Sequence, residues 1–479
     1  MTAEIVIMVA CGAAVGLFSV KFDLEQGKFS LQDSYNYSKL SYLSQTTPNF
    51  VYAISEGLDP ESLIKLQVSS NSLNRANQSS SINLLKTGAA YLSSRSITNT
   101  STRLAVAHYG SGNIEFADDS GTTLSNGPTY KFTYFSNVTS RQEAPHPHCI
   151  IPYDNMTTTD YFVTDLGADR FYLVHLDESA KTISITNYTS LDPGSGPRHI
   201  LRHPKFIELI FVLTELSNSL LVYKETSPTI FTLEQKYSTL INSSSDNIDK
   251  NTTYQTGGHL GISDDGQYII ASNRGHVNSI VVFGVENSTR GTLKSVSVNG
   301  SGGFHPRFFL THGNYLIVAN RFSNNLVAFK FENGTIGAKV DEIFLQDPIA
   351  MQVVAKIDKQ TPTTNLGTAP NCNNNDIGIG LNTNITGLRA MLGWDYLSTG
   401  YHGDDGKLYY SDSHRGKIYG PKYSTGDIVG CMARRGVRPD HALYPVIGFG
   451  AIGGCVRVNF GDESFVYDIK SDIEKLKKS

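Results

Sequence analysis

The sequence has few charged residues and few cysteines. Charged residues make up 18% of the 479 residues and the formal net charge is −4, so no basic surface for nucleic acid is predicted. The five cysteines include no Cys-x-x-Cys pair, which argues against a zinc site or a disulfide framework and favours reduced, buried thiols. No apolar run reaches the length of about 20 residues that a membrane-spanning helix needs. We therefore predict no metal, no cofactor, no nucleic-acid partner and no membrane span.

The N-terminus lacks the features of a typical targeting signal. Residues 5–20 are apolar enough for a signal peptide, but Glu4 stands where a basic region belongs and no Lys or Arg precedes Lys21. The same stretch also fits a β-strand. We interpret it as a strand and predict a cytoplasmic protein, with secretion kept as the alternative because Asn-x-Ser/Thr sequons are frequent.

One pattern recurs along the chain at a spacing of roughly 50 residues. In each copy an apolar strand ends at a polar residue, a short turn follows, and a second apolar strand begins. The seven strand ends are Cys11, Ser55, His108, Asp165, Thr214, Asn273 and Asn320. A four-stranded unit cannot bury its own faces and must stack on copies of itself. The predicted fold is all-β, with a seven-bladed β-propeller over residues 1–357.

The two ends of the repeat region each lack strand partners. The apolar strand within residues 344–354 has no outer strands after it, and the strand near residues 5–9 has no inner strand before it. Pairing these two would remove two exposed sheet edges. We predict that the C-terminal strand completes the N-terminal blade and closes the ring.

Proline is the first residue of several innermost strands, a position where its lack of an N–H group removes no hydrogen bond of the sheet. The residues that follow these prolines include His148, Arg198 and Arg307. A second set follows the polar ends of the second strands and consists of Glu56, Tyr109, Leu166, Glu215, Arg274 and Arg321. The repeat predicts that both sets lie around the central channel at one face of the ring.

The predicted channel contains more cations than anions. Arg198, Arg274, Arg307 and Arg321 would meet there with only Glu215 and Glu56 to balance them. Guanidinium groups held together cost free energy unless an anion joins them, and they bind carboxylate or phosphate through paired hydrogen bonds. The sequence therefore predicts a site for a small anionic ligand.

Several segments in this region resemble motifs of a known family. They are Pro145-His146-Pro147-His148, Asp165-Leu166-Gly167-Ala168-Asp169, Gly196-Pro197-Arg198-His199, Thr214-Glu215-Leu216-Ser217-Asn218 and Ser272-Asn273-Arg274-Gly275-His276. In order and spacing they resemble the propeller lactonases, a family that includes 6-phosphogluconolactonase and carboxy-cis,cis-muconate cyclase. The resemblance implies a seven-bladed ring with a cleft for an anionic lactone, and roles for His148, Arg198, Glu215 and Arg274.

We therefore predict a lactonase, a carboxylic ester hydrolase that opens a sugar-acid lactone in the manner of 6-phosphogluconolactonase. Hydrolysis needs a base for water, and either His148 or Glu215 can serve. The predicted substrate-binding residues are Arg198, His199, Arg274, Arg307 and Arg321. No Gly-x-Ser-x-Gly motif is present, which argues against a covalent serine route.

The composition changes after the propeller. Residues 358–375 are predicted to be a linker rich in Thr, Asn and Pro. Segments 400–406, 425–431 and 458–461 resemble the SPRY domain of Ran-binding-protein-9-like scaffolds. Residues 376–479 are therefore predicted to be a partial SPRY-like β-sandwich, which lacks its first strands and has residues 432–441 in place of a strand pair. A non-catalytic propeller–SPRY scaffold, with a protein partner bound through this segment, and a muconate-lactonizing activity remain the alternatives.

Overall fold

The computed structural model describes residues 2–13, 15–68, 76–153, 159–241, 247–287 and 291–358, together with five strands of the C-terminal part. Every regular element in this described part is a β-strand, as the composition predicts. The chain divides into two compact units, residues 1–360 and residues 361–479. The predicted boundaries of the domains and the linker remain predictions, because most of the linker lies outside the described residues.

Seven antiparallel sheets of four main strands form the first unit. Three N-terminal strands belong to blade 7, the last blade of the ring. They are β1 (Thr2–Cys11), β2 (Leu17–Asp23) and β3 (Lys28–Tyr35). Blade 1 contains β4 (Leu40–Thr47), β5 (Phe50–Ser55), β6 (Ser62–Val68) and β7 (Ala76–Asn83). Blade 2 contains β8 (Ala89–Ser96), β9 (Thr102–His108), β10 (Asn113–Asp119) and β11 (Leu124–Lys131). Blade 3 contains β12 (Pro147–Pro152), β13 (Asp160–Asp165), β14 (Arg170–Asp177) and β15 (Thr182–Ser190).

The remaining blades follow the same order. Blade 4 contains β16 (Pro197–Arg202), β17 (Leu209–Thr214), β18 (Ser219–Ser227) and β19 (Ile230–Ser238). The short β20 (Asn247–Ile248) pairs with the third strand of blade 5, which contains β21 (Gln255–Ile262), β22 (Tyr268–Gly275), β23 (Val277–Asn287) and β24 (Thr292–Gly300). Blade 6 contains β25 (Pro306–His312), β26 (Tyr315–Asn320), β27 (Asn325–Glu332) and β28 (Thr335–Phe344). Blade 7 contains β29 (Pro348–Asp358) as its innermost strand, followed by β1, β2 and β3. The predicted seven-bladed propeller is thus confirmed.

The ring closes through a strand from each end of the repeat region. β29 pairs antiparallel with β1, with Ile5 opposite Lys356 and Val9 opposite Met351. The predicted closing strand is thus confirmed, but its predicted start at Phe344 is wrong, because Phe344 ends β28 and β29 begins at Pro348. This pairing gives β1 an inner partner and makes β29 the innermost strand of the blade.

Alternation along each second strand supplies the apolar contacts between blades. In β1, Ile5, Ile7 and Val9 pack with blade 6, whereas Val6, Met8 and Ala10 pack with blade 1. Successive side chains of a strand point to opposite faces of the sheet. A strand that is apolar throughout therefore packs against the blades on both sides. Each fully buried aliphatic side chain of this kind contributes roughly 1.5–3 kcal/mol.

A β-bulge near the start of each innermost strand positions side chains at the channel. The pairing with the second strand shifts register at Ser41, Ala90, His148, Arg198, Gly258–His259, Arg307 and Ile349. A bulged residue is left without a ladder partner and its side chain is re-aimed. The repeated bulge therefore places His148, Arg198 and Arg307 equivalently in three blades.

The described residues of the second unit form one antiparallel sheet of five strands. These are β30 (Ile377–Asn382), β31 (Ser398–His402), β32 (Lys407–Tyr410), β33 (Lys417–Ile418) and β34 (Tyr444–Phe449). The strand order is β33-β32-β31-β30-β34. The predicted replacement at residues 432–441 lies outside the described residues. Within the described part, no helix is long and apolar enough to cross a membrane.

Candidate active site

A single carboxylate lies at the centre of the channel site. Glu215 follows β17, is 2% exposed, accepts hydrogen bonds from Arg198 and Arg141, and forms an ion pair with Arg274. Its Oε2 lies 2.8 Å from Arg198 Nη1 and 3.0 Å from Arg274 Nη2, and its Oε1 lies 3.1 Å from Arg141 Nη2. Three positive charges thus share one negative charge.

These contacts keep Glu215 ionised. Burial opposes ionisation, but the guanidinium groups of Arg274 and Arg198 outweigh it and hold the pKa of Glu215 well below its ordinary value. Burial and the neighbouring Arg198 act in the opposite sense on Arg274, whose pKa is lowered. A carboxylate with so low a pKa accepts a proton poorly, so its first role is to hold the arginines.

His148 lies beside this cluster and is neutral. It is 5% exposed, its Nε2 contacts Arg198 Nη1, and the same Nε2 lies 3.8 Å from Glu215 Oε2. Burial and the charge of Arg198 lower the pKa of His148 well below its ordinary value. A guanidinium group only donates, so Nε2 is the acceptor and Nδ1 carries the proton. The buried Nδ1 has no hydrogen-bond partner among the described residues.

Arg307 differs from the other channel arginines. It is half-buried and makes no hydrogen bond or ion pair with any residue that the structure describes. Burial and the charge of Arg198 lower its pKa to about 10, so it stays protonated at neutral pH. Arg198 and Arg307 line a small cavity together with Tyr42, His199 and Phe308. Arg307 is a cation free to meet a ligand.

Two predicted site residues are placed differently from the cluster. Arg321 Nε donates to Asp347 Oδ1 at 2.6 Å, so its charge is neutralised inside the protein. His199 is 4% exposed, packs edge-on against the rings of Tyr91, His259 and His148, and borders the cluster without forming an ion pair in it. Their predicted contact with substrate stays a prediction, whereas His148, Arg198, Glu215 and Arg274 lie together.

The sequence analysis missed Arg141. It comes from the loop between β11 and β12, is 46% exposed at its side chain, and also donates from Nη2 to Tyr109 Oη at 2.8 Å. The ring of Tyr109 in turn stacks on His146, with centroids 4.2 Å apart. Arg141 occupies no repeat position, so no periodic signal could have found it.

No group of three or more His, Cys, Asp or Glu side chains with metal-binding geometry occurs in the described part of the chain. The acidic and imidazole groups of the channel instead contact guanidinium groups. The arrangement suits a small organic anion, bound by Arg307 and the exposed edge of the arginine cluster, beside a neutral imidazole.

The fold and the site together define a β-propeller with a cationic channel. The family model described as the lactonase seven-bladed β-propeller matches residues 7–353. The chain therefore belongs to the lactonase propeller family, as the motifs predicted.

Two relatives are named 6-phosphogluconolactonase. The chain is 35% identical over 202 residues to that of Bacillus subtilis, a match covering 41% of this chain and 53% of the relative. It is 30% identical over 262 residues to that of Formosa agariphila, covering 52% of this chain and 70% of the relative. The chain thus spans about half the length of the first of these relatives.

Solved structures share the fold at low identity. The periplasmic gluconolactonase of Pseudomonas aeruginosa aligns with a TM-score of 0.66 and 21% identity, over 74% of this chain and all of that chain. A different relative matches a shorter stretch. The chain is 37% identical over 118 residues to Ran-binding protein 9 of Xenopus laevis, covering 21% of each protein. This similarity is consistent with the SPRY-like segment.

Proposed function

We propose that the propeller hydrolyses an anionic sugar-acid lactone of the 6-phosphogluconolactone type. The observation that carries this proposal is the excess of cationic groups in the channel. Arg141, Arg198 and Arg274 share Glu215, while Arg307 forms no close ion pair with a described residue and interacts only at longer range with Glu56 and Glu215. Such a cluster is stabilised when an anion joins it. The relatives named 6-phosphogluconolactonase support the choice of substrate class.

Binding begins with the anionic group of the substrate. Arg307 is the available partner for a phosphate or carboxylate, and the half-exposed Arg141 lies at the other side of Glu215. Paired hydrogen bonds from guanidinium groups orient the ligand as well as hold it. The lactone carbonyl then faces Arg198 and Arg274, whose N–H groups stabilise the developing oxyanion.

We assign the role of general base in the chemical step to His148. Once Arg198 Nη1 turns from Nε2 toward the substrate, the neutral Nε2 takes a proton from water while the water oxygen adds to the lactone carbonyl carbon. The ring C–O bond of the tetrahedral intermediate then breaks, and the leaving alkoxide takes the proton from the imidazolium. Water has been added and the products are a hydroxyl and a carboxylic acid, which ionises to the carboxylate by releasing its proton to solvent. Glu215, 3.8 Å from Nε2, offsets the transient imidazolium charge.

The test measures hydrolysis of three lactones against their spontaneous rates. We expect 6-phosphogluconolactone to be opened faster than uncharged gluconolactone, because only the former supplies a phosphate for Arg307. A muconolactone-type substrate tests the cyclase-like alternative. No rate above spontaneous hydrolysis on any of them would contradict the proposal. A cytoplasmic location, which we also propose, predicts no mobility shift on N-glycosidase treatment of the native protein.

A second proposal concerns the C-terminal segment. Its similarity to Ran-binding protein 9 favours a protein partner bound through residues 376–479. A pull-down that compares the full chain with a chain ending at Gln360 tests this. Capture by both forms would place the partner on the propeller instead, and an inactive propeller with a captured partner would favour the scaffold alternative.

A further inference from the structure

Two residue positions recur in every blade and meet at the blade junctions. The entry residue is the residue just before the innermost strand of a blade. The exit residue is the residue near the end of the second strand that pairs with it. The exit N–H donates to the entry C=O within the blade, for example from Arg321 to His305 at 3.0 Å and from Gly12 to Asp347 at 3.0 Å. In blade 5 the corresponding register partners are Thr256 and Arg274.

Side chains connect these positions from one blade to the next. At the junction of blades 6 and 7, the exit Arg321 pairs with the entry Asp347 at 2.6 Å. At the junction of blades 5 and 6, the exit Arg274 donates from Nη1 to Nε2 of the entry His305 at 3.3 Å. The two junctions therefore present an arginine to an entry residue in the same way, once with a carboxylate and once with an imidazole.

The backbone of the two entry residues is the same. Asp347 has φ 54° and its N–H donates to Asn324 Oδ1 at 2.8 Å. His305 has φ 62° and its N–H donates to Asn278 Oδ1 at 2.7 Å. A left-handed conformation is rare for residues other than glycine and is maintained here by the same asparagine contact. Asp and His are thus interchangeable at this position as far as the backbone is concerned.

The ring of His305 contacts the side chains of Phe322, Tyr254 and Arg274. It stacks on Phe322 with centroids 4.1 Å apart and an angle of 28° between the planes, and its Nδ1 lies 3.2 Å from Tyr254 Oη. Because Arg274 donates to Nε2, the proton lies on Nδ1 and is donated to Tyr254. Burial and the charge of Arg274 lower the pKa of His305 well below its ordinary value, so the ring is neutral.

We propose that His305 is a positioning residue that holds Arg274 for the substrate anion without neutralising its charge. Asp347 does the reverse at the equivalent junction, where its carboxylate neutralises Arg321. The entry residue therefore decides whether the exit arginine has a carboxylate of its own, as Arg321 does, or shares Glu215 with the other channel arginines, as Arg274 does. This inference rests on the proposed function in assuming an anionic substrate, but it concerns anion binding and not turnover.

The test compares His305→Asp with His305→Asn, which have the same shape and differ in charge. Inorganic phosphate and 6-phosphogluconate are the probes, titrated by calorimetry into the full chain. We expect His305→Asp to weaken binding of both at least about tenfold, since its carboxylate pairs with Arg274 as Asp347 does with Arg321. His305→Asn retains a neutral acceptor and is expected to stay within about threefold of the native chain. Equal affinities for the two variants would overturn the inference.

Asp347→Asn is the matched control at the other junction, and it should not weaken phosphate binding. If it weakens binding as much as His305→Asp, general damage to a blade junction explains the result and the inference falls. If His305→Asp is insoluble, kinetics of His305→Ala and His305→Asn decide. His305→Ala should raise KM for the anionic lactone by a larger factor than it lowers kcat. His305→Asn should have a KM close to that of the native chain. Equal KM values for the two variants would contradict the inference.

Failure of the inference and failure of the proposed function give different results. A native chain that binds phosphate but opens no lactone contradicts the proposed function, while the two His305 variants still decide the inference. A chain that opens anionic lactones with equal anion affinity in both variants contradicts the inference alone. A native chain that binds neither phosphate nor 6-phosphogluconate overturns the inference directly.

Discussion

Arg198 and Arg307 occupy the same bulge position in blades 4 and 6 but differ in their contacts. Arg198 is 3% exposed, donates from Nη1 to Glu215 at 2.8 Å, and also contacts His148 and the carbonyl oxygen of Gly258. Arg307 makes no hydrogen bond or close ion pair with these groups, and the charges of Glu56 and Glu215 act on it only at longer range. Arg198 therefore supports the site itself, whereas Arg307 is available to the ligand.

We predict that Arg198→Ala and Arg307→Ala affect different quantities. Arg198→Ala removes a partner of a buried carboxylate, so we expect it to destabilise the fold by about 2–3 kcal/mol. Losing its charge-assisted contacts should also lower kcat/KM by a factor of roughly tens to thousands. Arg307→Ala should leave stability nearly unchanged and raise KM for an anionic lactone by about tenfold. Urea unfolding and steady-state kinetics measure both quantities.

Arg170→Ala is the control for loss of one positive charge. Arg170 lies on the third strand of blade 3 between the rings of Tyr134 and Tyr188, 3.5 Å and 4.2 Å from their centroids. It should leave KM unchanged. Equal, small effects of Arg198→Ala and Arg307→Ala on kinetics would mean that the channel is not an anion site.

Asp165 predicts a pH dependence of stability. It is fully buried, accepts from the N–H groups of His146 at 2.7 Å and Ala168 at 3.2 Å, and its Oδ2 has no partner in the described residues. Burial raises its pKa to about 7. Because the folded pKa lies above the unfolded value, its protonation favours the native state, and this contribution is lost as the pH rises from about 4 to about 7 at about 1.4 kcal/mol per unit.

Asp165→Asn removes this dependence, because an amide does not titrate in this range. We expect the variant to gain stability relative to the native chain as the pH rises from 5 to 7, by about 2–3 kcal/mol. The difference should change by only about 0.4 kcal/mol more from pH 7 to 8, because Asp165 is half ionised at its pKa of about 7. Urea unfolding at pH 5, 7 and 8 measures it, and a difference independent of pH would show that Asp165 is ionised throughout.

At the scale of elements, the entry to β12 depends on close approach of two backbones. A Cβ on Gly167 would lie 1.8 Å from the carbonyl oxygen of Ala144 and 3.1 Å from the N of His146. This segment leads directly into Pro147 and His148. Glycine at 167 therefore allows the strand entry to lie against the turn that follows β13.

Gly167→Ala should push the segment before β12 outward and displace His148 from the arginine cluster. We expect a loss of stability of about 1–3 kcal/mol, as is usual for overpacking, together with a lower kcat. Gly313→Ala is the control, because nothing lies within 4 Å of a Cβ there and any cost reflects only its φ of 53°. Full activity of a folded Gly167→Ala variant would mean that His148 need not be held in this position.

The closing strand β29 gives the second prediction at this scale. A chain that ends at Phe344 lacks β29 and leaves β1 with an open inner edge along its pairing from Thr2 to Cys11. Unpaired backbone groups recruit other chains, so this form should aggregate. Size-exclusion chromatography distinguishes it from a chain ending at Gln360, which retains β29. A soluble monomer of the shorter chain would show that closure by β29 is dispensable.

At the scale of the whole molecule, the two compact units predict independent behaviour. Removal of residues 361–479 should leave the melting temperature of the propeller and its kcat/KM for lactones unchanged, because β29 and all described channel residues lie in the first unit. Thermal unfolding and kinetics of the chain ending at Gln360 measure this. Insolubility of that chain would mean that the second unit is needed by the ring, and the predicted domain division would be wrong.

The seven-bladed ring, its closure and the channel position of His148, Arg198 and Arg307 could all be predicted from the sequence. These features depend on local patterns: apolar alternation, proline at the start of innermost strands, and a repeat that assigns equivalent residues to equivalent places. The repeat also placed Glu215 and Arg274 at the channel, and the family motifs singled them out as functional. All of these signals are readable within one repeat of the chain.

The tertiary structure alone decided which charges pair. Arg141 reaches Glu215 across 74 positions of the chain, from a loop that carries no repeat signal. Arg321 is neutralised by Asp347 of the next blade, and Arg274 instead meets the neutral ring of His305. Ion pairing depends on ångström distances between side chains from different blades, and a periodic pattern fixes the position of each residue in its blade but not the partner it meets across a junction.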